Sequence, residues 1–396
     1  MRKLSAIVLT AALGLSCLCA CSSGSAASPA ATTAAAAETK AEAAATEAAA
    51  TEAAAAGAEA VTEAAAASSG EKKTIGMVVK NTTTEYIQAF MIGAQEKCDE
   101  YGIELRIVDG QADSLKIMDA IDTFIVQGID GFILAGAEDL VTLVPGIERL
   151  NEEGIPVFAA DTCPEGGKVE MFITNDIVDS SRKAAQQMVD GIKEANGGEV
   201  PEGVIIEITG ALVDMYTTDC HAGFESVLKD YPQLTVVQGE GNWNNDDSFA
   251  RASDLLTRYG DDVKGIYVHT PDIMGSGVVS ACEAAGLDPK DYFISGICIG
   301  AEGMSLLKEG KLYAVVEQPA LDMIHMIIDY MNMEFNGEAI PKEGDTIEED
   351  GALWSPAKVI NNEYCDEGLT MILQSPLVPQ ECDPDDKRLY ENVIAQ

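Results

Sequence analysis

The sequence predicts an α/β protein made of two doubly wound lobes, and three observations predict it. Strand-like and helix-like segments alternate from Thr74 to Phe335. Roughly nine or ten such units follow one another, more than one open sheet of ordinary size holds, so two sheets are the economical arrangement. The first unit, residues 75–90, shows the pattern most clearly: an apolar run from Ile75 to Val79, a hydroxyl- and amide-rich turn at Asn81 to Thr84, then the start of a helix. A turn of that kind sits at the carboxyl end of a parallel strand, where open α/β sheets bind small molecules.

The amino terminus precedes that pattern. Arg2 and Lys3 open the chain and an apolar run follows over 4–18, the length of a signal segment and too short for an ordinary membrane span. It closes on Leu18, Cys19, Ala20 and Cys21. This resembles a bacterial lipoprotein signal, which implies removal of residues 1–20, lipidation of Cys21 and a lipid anchor in the membrane. Residues 21–73 are dominated by Ala, Glu, Thr, Ser and Gly and have no apolar set able to form a core. The segment reads as a spacer, reaching about 40 Å as a coil and about 75 Å if fully helical.

From residue 74 onward each element has its own justification. The first helix carries Ile87, Phe90, Met91, Ala94 and Cys98 on one face. A strand is expected over 103–108, a helix over 114–127 and a fully apolar strand over 131–135, after which Asp139 can cap the next helix. Strands follow over 155–160, ending at Asp161, and over 172–174, leading to the polar turn at Asn175 and Asp176. In the second half, strands are expected over 204–208, 235–237, 265–268, 292–299 and 312–316. Helices are expected over 218–230, 246–259, 274–285, 302–308 and 321–335. The strand ends bring Lys80, Thr84, Asp161, Asn175, Asp176, Gly210, Asp219, Trp243, Asp272 and Gln318 toward one cleft between the lobes.

Charge excludes several functions. The 66 acids against 25 bases give a formal net charge of −41. Nucleic-acid binders need a basic face, and acidic lipid surfaces repel such a chain. A neutral or cationic small molecule fits this field better than a polyanion. His221, His269 and His325 show no metal spacing, and no nucleophile elbow, phosphate loop or dinucleotide fingerprint appears, so neither an enzyme nor a cofactor is expected. Beyond Cys21 the cysteines are Cys98, Cys163, Cys220, Cys282, Cys298, Cys365 and Cys382, an odd set placed mostly in strand and helix patterns. Free thiols in an exported chain point to a reducing habitat; if one bridge forms, Cys365 with Cys382 is the expected pair.

Several pieces, in this order and spacing, carry a family resemblance. Gly93, Ala94 and Gln95 lie on the first helix and Gly102 follows it. Gly154, Ile155, Pro156 and Val157 precede the strand that ends in Asp161. Ala222, Gly223 and Phe224 sit on a helix of the second half. The loop Thr270 to Gly277 and the run Glu309 to Leu312, which leads to Gln318, complete the set. Over about 74–360 the chain resembles the type I sugar-binding proteins of bacterial ABC transporters, the ribose and galactose binders. The resemblance implies two lobes joined by three crossing strands, one of 74–174 plus 319–347, the other of 175–318 plus 348–365, with 366–396 as a C-terminal extension. It implies crossings near Thr174 and Asn175, near Gln318 and Pro319, and near Ile347. It also implies a monomer that delivers a sugar or sugar-like molecule to an ABC permease, or presents it to a membrane receptor in a sensory role.

Site residues follow from the same resemblance. Tyr86 and Trp243 match positions that place an aromatic ring against a sugar, though either could instead pack the core. Asp161 matches a carboxylate that accepts from ligand hydroxyls, Gln318 a hinge-side amide, and Thr84 stands where many sugar binders have Asn. Four positions depart: Cys220 and Thr162 replace arginines, Pro271 an asparagine and Cys298 an aspartate. These departures disfavour an ordinary aldopyranose or ribose. Lys80, Asp161, Pro271 and Asp272 together resemble the branch that binds rhamnose-type sugars and furanosyl signals, and Lys80 is expected to face the cleft. The ligand set is therefore Lys80, Thr84, Tyr86, Asp161, Asn175, Asp219, Trp243, Pro271, Asp272 and Gln318.

Overall fold

The computed structural model describes residues 72–137, 139–378, 386 and 388–394. The signal over 1–20, Cys21, the spacer as far as residue 71 and Cys382 lie outside the described residues. The chain begins with β1 (Thr74–Val79), α1 (Glu85–Tyr101), β2 (Glu104–Asp109), α2 (Ser114–Gln127), β3 (Gly131–Ala135), α3 (Leu140–Glu152), β4 (Val157–Ala160) and β5 (Lys168–Asn175). It continues through α4 (Ile177–Ala195), β6 (Gly203–Thr209), α5 (Met215–Leu228), β7 (Leu234–Glu240), α6 (Asn245–Tyr259), β8 (Val263–Val268), α7 (Pro271–Ala284), β9 (Ser295–Ile297), α8 (Gly300–Lys308) and β10 (Ala314–Val316). It ends with α9 (Ala320–Phe335), β11 (Thr346–Ile347), β12 (Ala357–Asn361), β13 (Glu367–Leu373), β14 (Leu377–Val378) and α10 (Tyr390–Ile394).

The strands form two sheets, as the count of units requires. One has eight strands in the order β11-β12-β13-β5-β4-β3-β1-β2, the other six in the order β14-β10-β9-β8-β6-β7. Pairing is parallel from β13 through β5, β4, β3 and β1 to β2, and from β10 through β9, β8 and β6 to β7. Helices cover both faces of each sheet, which is why the strands are near-continuous apolar runs. In β1, Ile75, Met77 and Val79 enter one core and Val78 enters the core on the opposite face. Of the stripe read from the sequence, helix α1 buries Ile87, Phe90, Ala94 and Cys98, while Met91 packs half-buried against the same core. It stops at Gly102, whose φ of 69° is the left-handed cap that glycine adopts without strain.

Three readings are corrected. Asp139 does not cap α3: its backbone is left-handed at φ 52°, and its carboxylate accepts from the Thr142 hydroxyl at 2.7 Å instead. Helix α5 starts at Met215, ahead of the expected residue 218, because the Asp214 carboxylate accepts from the Tyr216 N–H. The third crossing does not fall near Ile347: β12, within 348–365, belongs to the first sheet, while Leu353 packs against the core of the second. Strands β11, β12 and β13 all join the first sheet, and the third crossing lies between β13 and β14. The physical reason is the burial of β13: Thr370, Met371 and Leu373 are inaccessible and fit an interior position beside β5. Part of the expected C-terminal extension is therefore sheet interior.

Cys98, Cys163, Cys220, Cys282, Cys298 and Cys365 are free thiols. Cys365 packs against the core that contains Cys163, and the hydrogen bond from Cys163 draws its pKa down to about 7.

Candidate ligand-binding site

Residues at the carboxyl ends of strands in the two sheets come close to one another: Asp214 acts on Asp161, and Glu85 on Asp272. From the first lobe, β4 ends at Asp161, whose φ of 68° turns the side chain out of the strand direction. Asp161 Oδ1 accepts from the Tyr86 hydroxyl at 3.0 Å. Tyr86 is on the first turn of α1, placed there by the turn in which Asn81 Oδ1 accepts from the N–H groups of Thr83 and Thr84. Thr84 is the N-cap residue of α1 and is half-buried. Burial pushes the Asp161 carboxyl up to about 6, against the pull of the Tyr86 hydroxyl and the nearby Lys80 charge. The Lys80 Cβ and Asp161 Oδ2 both border the space beside Gly136.

The second lobe contributes an aromatic wall. Trp243 follows β7 at φ 56°, directly after Asn242 at φ 50°. Two consecutive non-glycine residues in the left-handed region cost on the order of 1–3 kcal/mol each, a strain found mostly at functional sites. The indole lies against Gly210 so closely that a Cβ there would collide with the ring. Tyr216 meets Trp243 edge-on with centroids 5.6 Å apart. The Tyr216 hydroxyl donates to Gln318 Oε1 at 3.1 Å, which leaves Gln318 Nε2 buried without a partner among the described residues. Asp272 Oδ1 and Asn175 Oδ1 are in the same condition. Burial lifts the Asp272 carboxyl to about 6, with Glu85 of the opposite lobe adding to the rise. An unsatisfied buried polar atom costs about 1–3 kcal/mol, so each of these atoms calls for a polar partner.

Other expected residues take different places. Pro271 is the first residue of α7 and is buried against Gly296 and Gly275, where it packs the lobe. Asn175 lies at the crossing, its Nδ2 donating to Ser375 Oγ at 2.9 Å and to Ser180 Oγ at 3.3 Å. Asp219 sits half-buried on α5 with Asp176 and Asp214 as charged neighbours; burial first, then those two charges, raise its pKa. Asp214 in turn acts on Asp161 across the cleft. Acids outnumber Lys80 on this surface, a field that favours an uncharged or cationic guest. The lobes touch at the rim, where Glu85 Oε2 accepts from the Ala301 N–H at 2.7 Å.

Behind the aromatic wall is a polar cluster that the spacing of the histidines hid. Glu207 is fully buried in β6. It accepts from His221 Nδ1 at 2.9 Å, His269 Nε2 at 2.9 Å and Gln238 Nε2 at 2.9 Å. These donors hold its carboxyl down at about 2 despite burial. His269 Nδ1 accepts from the Gly210 N–H at 3.4 Å, which assigns the proton to Nε2 and ties the cluster to the glycine under Trp243. Tyr216 and Asp214 were also not singled out in the sequence; the helix-capping position of Asp214 was the available signal.

With this geometry in place, comparison with known proteins is decisive. A periplasmic binding protein domain matches residues 75–339. The chain belongs to the type I periplasmic binding protein family. Its relatives include the ribose import binding protein RbsB of Bacillus subtilis (strain 168), 27% identical over 261 residues, covering 65% of this chain and 81% of that protein. The galactofuranose-binding protein YtfQ of Escherichia coli (strain K12) is 22% identical over 231 residues, covering 57% of this chain and 70% of that one. Among solved structures, a galactofuranose binding protein superposes with a TM-score of 0.63 at 19% identity, covering 81% of this chain and 98% of its own. A Mycobacterium smegmatis protein in complex with β-D-fucofuranose gives a TM-score of 0.61 at 20% identity, covering 78% and 91%. These structures share the fold of this periplasmic binding protein. Family membership implies a place outside the cytoplasm. Among the described residues no helix is long and apolar enough to cross a membrane.

Proposed function

We propose that this periplasmic binding protein captures an uncharged furanose or deoxysugar and delivers it to an ABC permease, acting as a carrier without chemistry of its own. One observation carries the reading: among the described residues Gln318 Nε2 and Asp272 Oδ1 are buried without a partner beside an aromatic pair, with Asp161 contributed by the other lobe. A sugar offers hydroxyls for the polar atoms and an apolar C–H face for an aromatic plane. Lys80, Tyr86, Asp161, Trp243, Asp272 and Gln318 form the ligand set; Thr84, Asn175 and Asp219 border it, and Pro271 shapes it from behind. The furanose preference is supported by the replaced sugar-binding positions and by relatives named for galactofuranose and fucofuranose.

Capture works by closure: a ligand that contacts both lobes favours the form in which they meet. We place the protein on the outer side of the membrane as a monomer, tethered through lipidated Cys21 with residues 21–73 as spacer. Loss of membrane partitioning in Cys21→Ser tests the tether.

A thermal-shift panel of furanosides, deoxysugars, pentoses, hexoses and nucleosides tests the ligand. At 100 times its dissociation constant a bound sugar adds about 2.7 kcal/mol of stability. Trp243→Ala is expected to abolish that shift. A panel in which only charged compounds stabilise the protein would refute the assignment.

A further inference from the structure

The last described segment lies beyond the family domain, which ends at residue 339. Its position is nonetheless central. Asp386 organises it: the carboxylate accepts from Arg388 Nε at 2.8 Å and Arg388 Nη2 at 2.7 Å, and Asn392 Nδ2 donates to the Asp386 carbonyl at 2.9 Å. Arg388 Nη1 also donates to the Gly351 carbonyl at 3.1 Å, which pins the segment to the loop before Trp354. Helix α10 then lies against α1 of the first lobe and α8 of the second.

Two adjacent side chains divide between the lobes. Leu389, 1% exposed, enters the core of the second lobe together with Met304 and Leu307. Tyr390, 2% exposed, enters the core of the first lobe, where Val393 packs beside it. The Tyr390 ring meets Tyr86 edge-on with centroids 6.1 Å apart. Its hydroxyl lies 3.3 Å from Cys298 Sγ, at the end of β9 in the second lobe. One residue therefore touches a cleft residue from each side. Lobe opening has to pull Leu389 or Tyr390 out of its core, because neighbouring residues cannot follow two bodies that separate.

We propose that Tyr390 is a residue of the ligand cleft, supplied by the C-terminal segment, which walls the space between Tyr86 and Cys298 and latches the two lobes at the rim where α1 meets α8. Ligand exchange then requires release of α10. The segment limits the size of what the cleft admits on that side and slows its departure.

Cys298 provides a readout that needs no sugar, so the latch stands or falls separately from the assignment of the ligand. Its thiol is buried under Tyr390, whereas Cys282 on α7 and Cys220 on α5 are buried inside the second lobe and serve as internal controls. Iodoacetamide is applied to the full chain and alkylation of each cysteine is followed by peptide mass spectrometry. Tyr390→Leu is expected to speed alkylation of Cys298 at least tenfold relative to Cys282 and Cys220. Tyr390→Phe, which keeps the ring, is expected to stay within threefold of wild type. Leu389→Ala releases the other half of the latch and is expected to resemble Tyr390→Leu. Cys298 protection that is unchanged in both Tyr390→Leu and Leu389→Ala overturns the proposal. So does acceleration shared equally by all three cysteines, since that shows α10 stabilising the whole fold rather than sealing the cleft.

Discussion

Glu207 is a fully buried acid and Asp161 a half-buried one, each near a strand end in its own lobe, and their pKa values lie on opposite sides of the ordinary range. Glu207 has donors from two histidines and a glutamine and is held at about 2. Asp161 has one tyrosine hydroxyl and a lysine nearby and rises to about 6. Burial acts on both; the difference is the number of protein groups that donate to the charge. Glu207 is satisfied within its lobe and works as a structural part. Asp161 retains acceptor capacity, which is what a site for a hydroxyl-rich guest requires.

The comparison can be broken from either end. The largest effect is expected from Glu207→Ala, which leaves the fully buried His269 without its carboxylate partner and removes the acceptor of His221 and Gln238 at the surface. We expect a loss of about 3–5 kcal/mol, read from urea unfolding. Asp161→Asn should do the opposite: the unfolding midpoint at pH 7 holds or rises, while sugar affinity measured by calorimetry falls about 10- to 100-fold, or roughly 1.5–3 kcal/mol. If Asp161→Asn costs stability and leaves affinity intact, Asp161 is structural and the contrast disappears. Gly210→Ala probes the link between the regions, because the new methyl displaces the indole of Trp243. A loss of about 1–3 kcal/mol is expected, with a red shift of tryptophan emission.

The smallest effect is on pH dependence. Asp161 and Asp272 near 6, and Asp322 and Glu334 near 7, all bind protons more tightly folded than unfolded. Stability of the sugar-free protein therefore falls as pH rises from about 4 toward 7. Glu207 contributes in the other direction and elsewhere: its stabilisation is complete above its unfolded value and is lost only as pH falls from about 4.5 toward 2. Sugar hydroxyls donate to the ionised carboxylates, so affinity should grow between pH 5 and 7. A sugar affinity that is flat with pH in wild type, yet lost in Asp161→Asn, would assign the carboxylate a neutral acceptor role.

Much of the fold was legible because its strands are short apolar runs between glycine and polar turns, and α1 shows an unbroken stripe from Ile87 to Cys98. The placement of residues 346–373 was not, since sequence patterns give a strand's faces but not its neighbours. β13 reads as an isolated apolar segment until its pairing with β5 is seen. In the site, Asp161 and Trp243 could be named because they end predicted strands or follow them. Glu207 could not, because an acid inside an apolar strand looks like a solvent-facing position until His221 and His269 arrive from elements far along the chain. Tyr390 falls in a short helix-like run over 387–394 that the sequence does show, but nothing in that run says which core its side chains enter.

The position of β13 also sets a timetable for assembly. It sits between β5 and β12, so the first sheet stays open along the flank of β5 until almost the whole polypeptide has been synthesised. The six-stranded sheet draws all but its edge strand β14 from the contiguous stretch 203–316 and can form earlier. The lobe that starts the chain thus gains its interior strand only after the body of the other sheet has been made. In the interval β5 presents an unpaired edge open to mispairing with another copy, and molecules interrupted before residue 367 should aggregate through it.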